Sequence, residues 1–201
     1  MKDKVILFDG TSLDGFYEFD DDRPDITGNP TNWYLADGAM TVNRYNAATE
    51  YEYGDAHVHV EFCLPDMPEA DDQDTGNSGV YVQGCYELQV LDSSGKPYTN
   101  FVECGAIYEM HAPLVNMTKA PGEWQTYDII LKAAKLHDNG ELKEPASVTI
   151  IFNGTIIHNN TILPRRTPGG CYRCLVERGP LMLQDHECPV SYRNIWVQPL
   201  D

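Results

Sequence analysis

The chain is written mostly in short runs of period two. In "HVHVEFCL" the alternation puts Val58, Val60 and Phe62 on one face of a strand. Similar β-rich runs recur as VILF, TNWYLADGAMTV, GVYVQ, YELQVL, TYDIILKA, SVTIIFNGTIIHN, PLMLQ and YRNIWVQPL. Turn signals separate them: Asp-Gly at 9–10 and 37–38, and Asn-Gly at 139–140 and 153–154. "VTIIFNGTIIHNN" predicts a hairpin, because two β-branched runs flank a dipeptide suited to a two-residue type I′ turn. No segment shows a sustained helical period; "LKAAKLHDNGELKE" comes nearest and is cut by Asn139-Gly140. Many short strands with spaced turns predict an all-β antiparallel sandwich or barrel. "FDDDRPDITGNP" and "PDMPEADDQDTGN" read as long surface loops, and no repeat or linker divides the chain, so residues 1–201 read as one domain.

One pair of runs is unusual on its polar side. In "GNSGVYVQGCYELQVLDS" the residues between the aliphatics are Tyr81, Gln83, Glu87 and Gln89. A plain two-residue turn at Gly84-Cys85 would set Glu87 on the opposite face from Gln83. A bulge at Gly84, or a continuous strand, would bring all four to one face and every aliphatic residue to the other. The bulge is the preferred reading. Such a face carries aromatic and amide surface in place of the Lys, Thr and Ser of an ordinary solvated sheet face, which is the alternative reading.

Composition narrows the partners. Acidic residues outnumber basic ones 31 to 14, for a net charge of -17. Nucleic acid and anionic membrane surfaces call for clustered Lys and Arg, so neither is expected as a partner. The start, MKDKVILFDG, has too short an apolar run for a secretory leader, and no run is long enough for a transmembrane helix. The chain therefore reads as cytoplasmic, or as one whose leader has been removed, and its six cysteines fit the first reading as thiols. Cys63, Cys85 and Cys104 lie in apolar strand contexts and read as core.

"GPLMLQDHECPVSYRNIW" holds the second group of polar residues. As a strand it puts Gln184 and His186 on the face opposite Leu181, Leu183 and Asp185. Asp185, at the end of the core side, wants a bidentate cation, and Arg193 is the candidate. Cys171, Cys174, His186 and Cys188 could form a zinc set, and "DDQDTGN" offers oxygens for calcium. The main reading carries no cofactor.

"LFDGTSLDGF", "NSGVYVQGCYELQVLD", "CGAIYE", "PGEWQTYDI", "GPLMLQDH" and "YRNIWVQPL" occur in this order from residue 7 to residue 200. Together they closely resemble the 3-keto-disaccharide hydrolase family. The resemblance implies a concanavalin-like jelly roll, an antiparallel β-sandwich with a concave sugar-binding sheet, as in laminarinase-type glucanases. It also implies cleavage of glycosides already oxidised to a ketone at C3, with a sugar 3-dehydrogenase as functional partner. Such chemistry needs a base for the C2 proton, an acid for the leaving oxygen and donors for the enolate oxygen. An imidazole, with its ordinary pKa near ~6.5, suits the base, so His186 takes that role, and Glu87 is either the second acid/base group or orients a sugar hydroxyl. Gln83, Gln89 and Gln184 are read as donors to substrate. Lys119 neutralises the enolate if its loop folds over the face, and otherwise is an exposed loop lysine. Tyr81, Tyr108, Trp124 and Arg193 complete the candidate substrate-binding set, with core positions the alternative for Tyr108 and Trp124. Glu87 and Asp92 have opposite parity, which argues against the acid triplet of a conventional glucanase. A non-catalytic carbohydrate-binding module and a conventional glucanase are the other readings.

Overall fold

A computed structural model describes residues 2–20, 23–70, 72–97 and 99–200. Alternation along the chain becomes two packed antiparallel sheets. The larger runs in the order β14 (Thr155–Leu163), β13 (Ala146–Phe152), β10 (Trp124–Lys132), β7 (Ala56–Cys63), β16 (Ser191–Pro199), β5 (Ala39–Thr41), β4 (Tyr34–Ala36), with β1 (Val5–Phe8) also on β16. The smaller runs β3 (Arg23–Pro30), β2 (Phe16–Asp20), β6 (Asn46–Tyr53), β15 (Gly179–Leu183), β8 (Ser78–Val82), β9 (Tyr86–Val90). A separate ribbon pairs β11 (Lys135–Leu136) with β12 (Leu142–Glu144). This is an antiparallel jelly-roll sandwich. Among the described residues the single helical element is a 3-10 turn, Asp72–Asp74, and no helix is long and apolar enough to cross a membrane.

The core lies between the sheets because each strand turns one side inward. In β7 the inward side is Val58, Val60 and Phe62. Phe62 packs against Tyr127 from the adjoining strand β10 and Phe152 from β13 beyond it, with ring centroids 4.8 and 6.0 Å away. The smaller sheet contributes Val80, Val82, Leu88, Val90, Leu181 and Leu183 to the same cluster. Asn153 and Gly154, at φ 48° and 82°, close the β13–β14 hairpin with Phe152 opposite Thr155, the type I′ geometry that the dipeptide favours.

Three local expectations change. "FDDDRPDITGNP" is mostly strand, β2 running into β3, with Asp21 and Asp22 outside the described residues. Cys63 is only half-buried because it falls on the outward parity of β7, whereas Cys85 and Cys104 are core. "LKAAKLHDNGELKE" is the end of β10 followed by the β11–β12 ribbon.

The site-bearing strands β8 and β9 are buried along their whole length, on both faces. One face meets the core, and connecting segments cover the other. Residues 105–108 lie along the free edge of β9: Gly105 N–H donates to Gln89 O, and Tyr108 N–H donates to Glu87 O. An open sheet edge is thereby closed. This covering segment is tied to the larger sheet by His158, whose Nε2 lies 2.8 Å from the Gly105 carbonyl. Burial holds the His158 imidazole below its ordinary pKa, so the neutral ring is the folded form and Nε2–H donates. A depressed folded pKa gives stability that is complete above the unfolded value of about 6.5 and is lost as pH falls toward the folded value. The melting temperature should therefore drop more steeply for the natural chain than for His158→Gln between about pH 8 and pH 5, as followed by calorimetry.

Candidate active site

The turn between β8 and β9 determines what shares a face. Val82 pairs with Tyr86, which leaves three residues, Gln83, Gly84 and Cys85, to make the reversal. Gln83 and Gly84 both take positive φ, 52° and 58°. This odd-numbered turn does what a bulge was expected to do for most of the face: Tyr81 lies opposite Glu87, and Gly79 opposite Gln89. It also removes Gln83 from the face. The Gln83 amide is buried and donates to the carbonyls of Tyr53 and Glu177, each at 3.0 Å, so Gln83 holds the turn.

Glu87 is 4% exposed, and its Oε2 accepts the Tyr81 hydroxyl at 2.7 Å. Room for this pair comes from Gly79, where an added β-carbon would stand 2.7 Å from Glu87 Oε1 and 2.9 Å from a Tyr81 ring carbon. Thr167 fixes the strand beneath: its Oγ1 accepts the Glu87 N–H at 2.9 Å. The same segment places the Pro168 carbonyl 3.1 Å from Tyr81 Oη, and an added β-carbon at Gly169 would come within 2.5 Å of that oxygen.

From the neighbouring strand, β15 pairs Met182 with Tyr81, so Gln184 continues along the same face. Gln184 N–H donates to Gly79 O at 2.9 Å. Gln184, Glu87, Tyr81, Gln89, Tyr108 and His186 line one cavity of about 280 Å³. Gln184 and Gln89 were read as donors, but each presents a buried Oε1 with no protein partner. An unpartnered buried acceptor costs free energy until a donor arrives, and sugar hydroxyls are such donors. Burial, and then the neighbouring Glu87 charge, push the Tyr108 phenol above its ordinary pKa and keep it protonated. His186 stands exposed at the cavity mouth.

Residues 3–198 match the 3-keto-alpha-glucoside-1,2-lyase-like domain. The chain belongs to that family. A candidate glycosyl hydrolase from Parabacteroides distasonis ATCC 8503, solved by crystallography, is 34% identical, with a TM-score of 0.86 over 98% of this chain and 84% of that one. A second such protein from the same organism is 18% identical, with a TM-score of 0.69 over 98% of this chain and 94% of that one, and shares the fold. An alginate lyase at 11% identity, covering 100% of this chain and 98% of its own, shares the fold at a TM-score of 0.50. No curated protein matches the chain. Family membership and the first of these structures make the protein a carbohydrate-active enzyme of the glycoside-cleaving kind.

Three other candidates lie on the larger sheet and its edge. Arg193, on β16, pairs through Nε with Glu61 Oε2 at 2.6 Å and stacks 3.9 Å over the Trp124 ring. Cross-strand register puts Arg193 opposite Glu61, so it does not serve Asp185. Asp185 accepts backbone N–H groups from Tyr45 and Glu187, both at 2.9 Å. Lys119 Nζ donates to the Trp124 carbonyl, which places it beside that pair and not over the cavity. The proposed zinc set is scattered: Cys171 Sγ lies 3.5 Å from Met182 Sδ, Cys188 Sγ faces the Asp74 carbonyl, and Cys174 is exposed. Among the described residues no group of three or more His, Cys, Asp or Glu is arranged to hold a metal ion, and the calcium reading rests in part on Asp71, outside them. Three lining residues were missed. Asn77 is 5% exposed and donates to the Gln73 carbonyl, and the Pro168-Gly169 cover has no periodicity to betray it.

Gly79→Ala should push against the Glu87 carboxylate and cost about 1–3 kcal/mol, the usual penalty of overpacking. In a Glu87→Ala background that cost should shrink, a coupling that denaturant melts of the four chains would measure.

Proposed function

We propose that this enzyme cleaves glycosides whose ring carries a ketone at C3, by removal of the C2 proton, elimination and hydration. The observation that carries the proposal is the buried Glu87 carboxylate, hydrogen-bonded by Tyr81 and set beside a protonated phenol, Tyr108, in a sugar-sized cavity. A C3 ketone acidifies the C2 proton because the conjugate base is an enolate. Glu87, deep in the cavity, takes that proton. His186, at the mouth, gives one to the departing oxygen. These roles reverse the sequence-based assignment, since burial separates the two groups by depth. The C2–H electron pair becomes the enolate; its collapse breaks the C1–O bond and leaves a C1=C2 double bond conjugated to the ketone. Water then adds across that bond. The Tyr108 hydroxyl donates to the enolate oxygen, and the Gln89 and Gln184 Oε1 atoms accept from ring hydroxyls.

Tyr81 suits either protonation state of Glu87. Its single O–H donates to the carboxylate at 2.7 Å; once Glu87 is protonated, Glu87 donates to Tyr81 Oη and the phenol turns to the Pro168 carbonyl. The keto substrate must come from a reaction that oxidises a sugar at C3. No step as written uses a metal or a cofactor.

The expected result is release of the aglycone from a 3-keto-disaccharide and none from the unoxidised parent. Glu87→Gln and His186→Ala should each lower turnover by about 10²–10⁴-fold, with little change in melting temperature. Equal turnover of the parent glycoside would point instead to a conventional glycosidase. Retained turnover with weakened binding would reduce both residues to sugar contacts.

A further inference from the structure

Asp185 and His186 line two cavities. The first holds Glu87; the second, about 470 Å³, is lined by Met67, Ala70 and Asp74 on one part and by residues 185–188 on the other. We infer that this second cavity receives the leaving group and selects one with an apolar face and no negative charge. The inference rests on the proposed placing of the keto ring against Glu87. With the ring there, whatever is attached at C1 must lie past His186, and the second cavity is the space that His186 borders.

Its walls state the chemistry. Met67 and Ala70 are half-buried, and Met67 packs against the main core. A thioether on a flexible stem conforms to flat ligand surfaces. Cys188 is 4% exposed, its Sγ is engaged with the Asp74 carbonyl at 3.4 Å, and burial raises its thiol pKa. It therefore acts as a neutral, apolar wall. The remaining lining side chains are His186 and three carboxylates: Asp74 and Glu187 at the exposed rim, and Asp185 at the junction. No lysine or arginine lines the cavity among the described residues. A carboxylate or phosphate on the leaving group would meet three carboxylates against a single histidine, His186, which is directed at the C1 oxygen, and this repulsive balance disfavours one substrate class. Glu187 is the rim residue best placed to test this. Its N–H is held by Asp185 Oδ1 at 2.9 Å, and its φ of 61° fixes an uncommon backbone conformation for a residue with a side chain.

The test titrates the full chain calorimetrically with methyl, phenyl and 4-carboxyphenyl α-glucosides. The phenyl glucoside should bind at least about tenfold more tightly than the methyl glucoside, since it buries an aromatic face. Met67→Ala should narrow that ratio. The carboxyphenyl glucoside should bind at least about fivefold more weakly than the phenyl one, and Glu187→Lys should abolish or invert that difference. Equal affinity for all three glucosides, no measurable phenyl glucoside binding, or a carboxylate penalty unchanged by Glu187→Lys would overturn the inference. None of these ligands carries a ketone. Failure of the elimination chemistry would leave the ratios standing, and equal ratios would leave the elimination chemistry standing.

Discussion

A carboxylate that is almost wholly withdrawn from water must be met by donors, or its charge becomes too costly to keep. The effective penalty for burying such an ion is several kcal/mol. Glu87 is in that position, and much of the smaller sheet is arranged around it. Its facing strand supplies Tyr81 at 2.7 Å. That meeting depends on the three-residue turn, because a turn shorter by one residue would put the two side chains on opposite faces. Gly79 leaves the space, and Thr167 pins the Glu87 backbone from the covering segment. A change in any one of these would shift the carboxylate or leave it unmatched.

The hairpin is also fixed from behind, through the core. Tyr127, on the larger sheet, donates its hydroxyl to the Gln89 carbonyl at 2.8 Å, and Tyr192 meets Ser78 Oγ at 2.7 Å. Both phenols are fully buried, and burial raises their pKa well above the ordinary value, so they stay neutral at any working pH. They join the outer strands of the smaller sheet to the aromatic packing of Phe62, Tyr127 and Phe152. The core thus places β8 and β9 by directional bonds as well as by apolar contact. A buried hydroxyl without its partner would cost about 1–3 kcal/mol, so sliding of one sheet over the other is penalised at both points.

How far the sequence could be read follows from the range of the forces involved. Alternation is local: each strand buries one face, so Val58, Val60 and Phe62, or Leu181 and Leu183, declare their side without knowledge of their neighbours. Two-residue turns with Gly at the second place are also local, which is why Asn153-Gly154 was legible. Tyr81, Glu87 and Gln89 were grouped by parity within one hairpin and Gln184 with His186 by parity along a second stretch, and the family resemblance joined the two. Gln83 was misplaced because strand and turn differ there by one residue, and a glutamine at φ 52° gives no sign of itself in composition. Arg193 was misplaced for another reason. Its partner depends on which distant strand lies beside it, and Glu61, 132 residues away, satisfies a guanidinium as well as Asp185 would. The cover over the site comes from irregular segments held by a few backbone hydrogen bonds each to β9 and to the turn, so no repeating pattern marks it.

The cavity's charge fits the chemistry assigned to it. No lysine or arginine lines it among the described residues, in keeping with a chain in which cations are scarce and Arg193 and Lys96 are engaged in ion pairs elsewhere. A reaction that built up new negative charge would be poorly served there. The proposed transfer of a C2 proton to Glu87 would build none. The carboxylate would lose its charge in the same step that the substrate gained one as enolate, leaving the total unchanged. What the site must supply is a donor where the charge arrives and an acceptor-tolerant partner where it leaves. Tyr108, kept protonated by burial and by the Glu87 charge itself, is the donor. Tyr81, able to turn its hydroxyl from the carboxylate to the Pro168 carbonyl, is the partner. On the proposed reading, Tyr108 as a fixed donor and Tyr81 by reorientation would do what an enzyme with a cation at this position does by fixed charge.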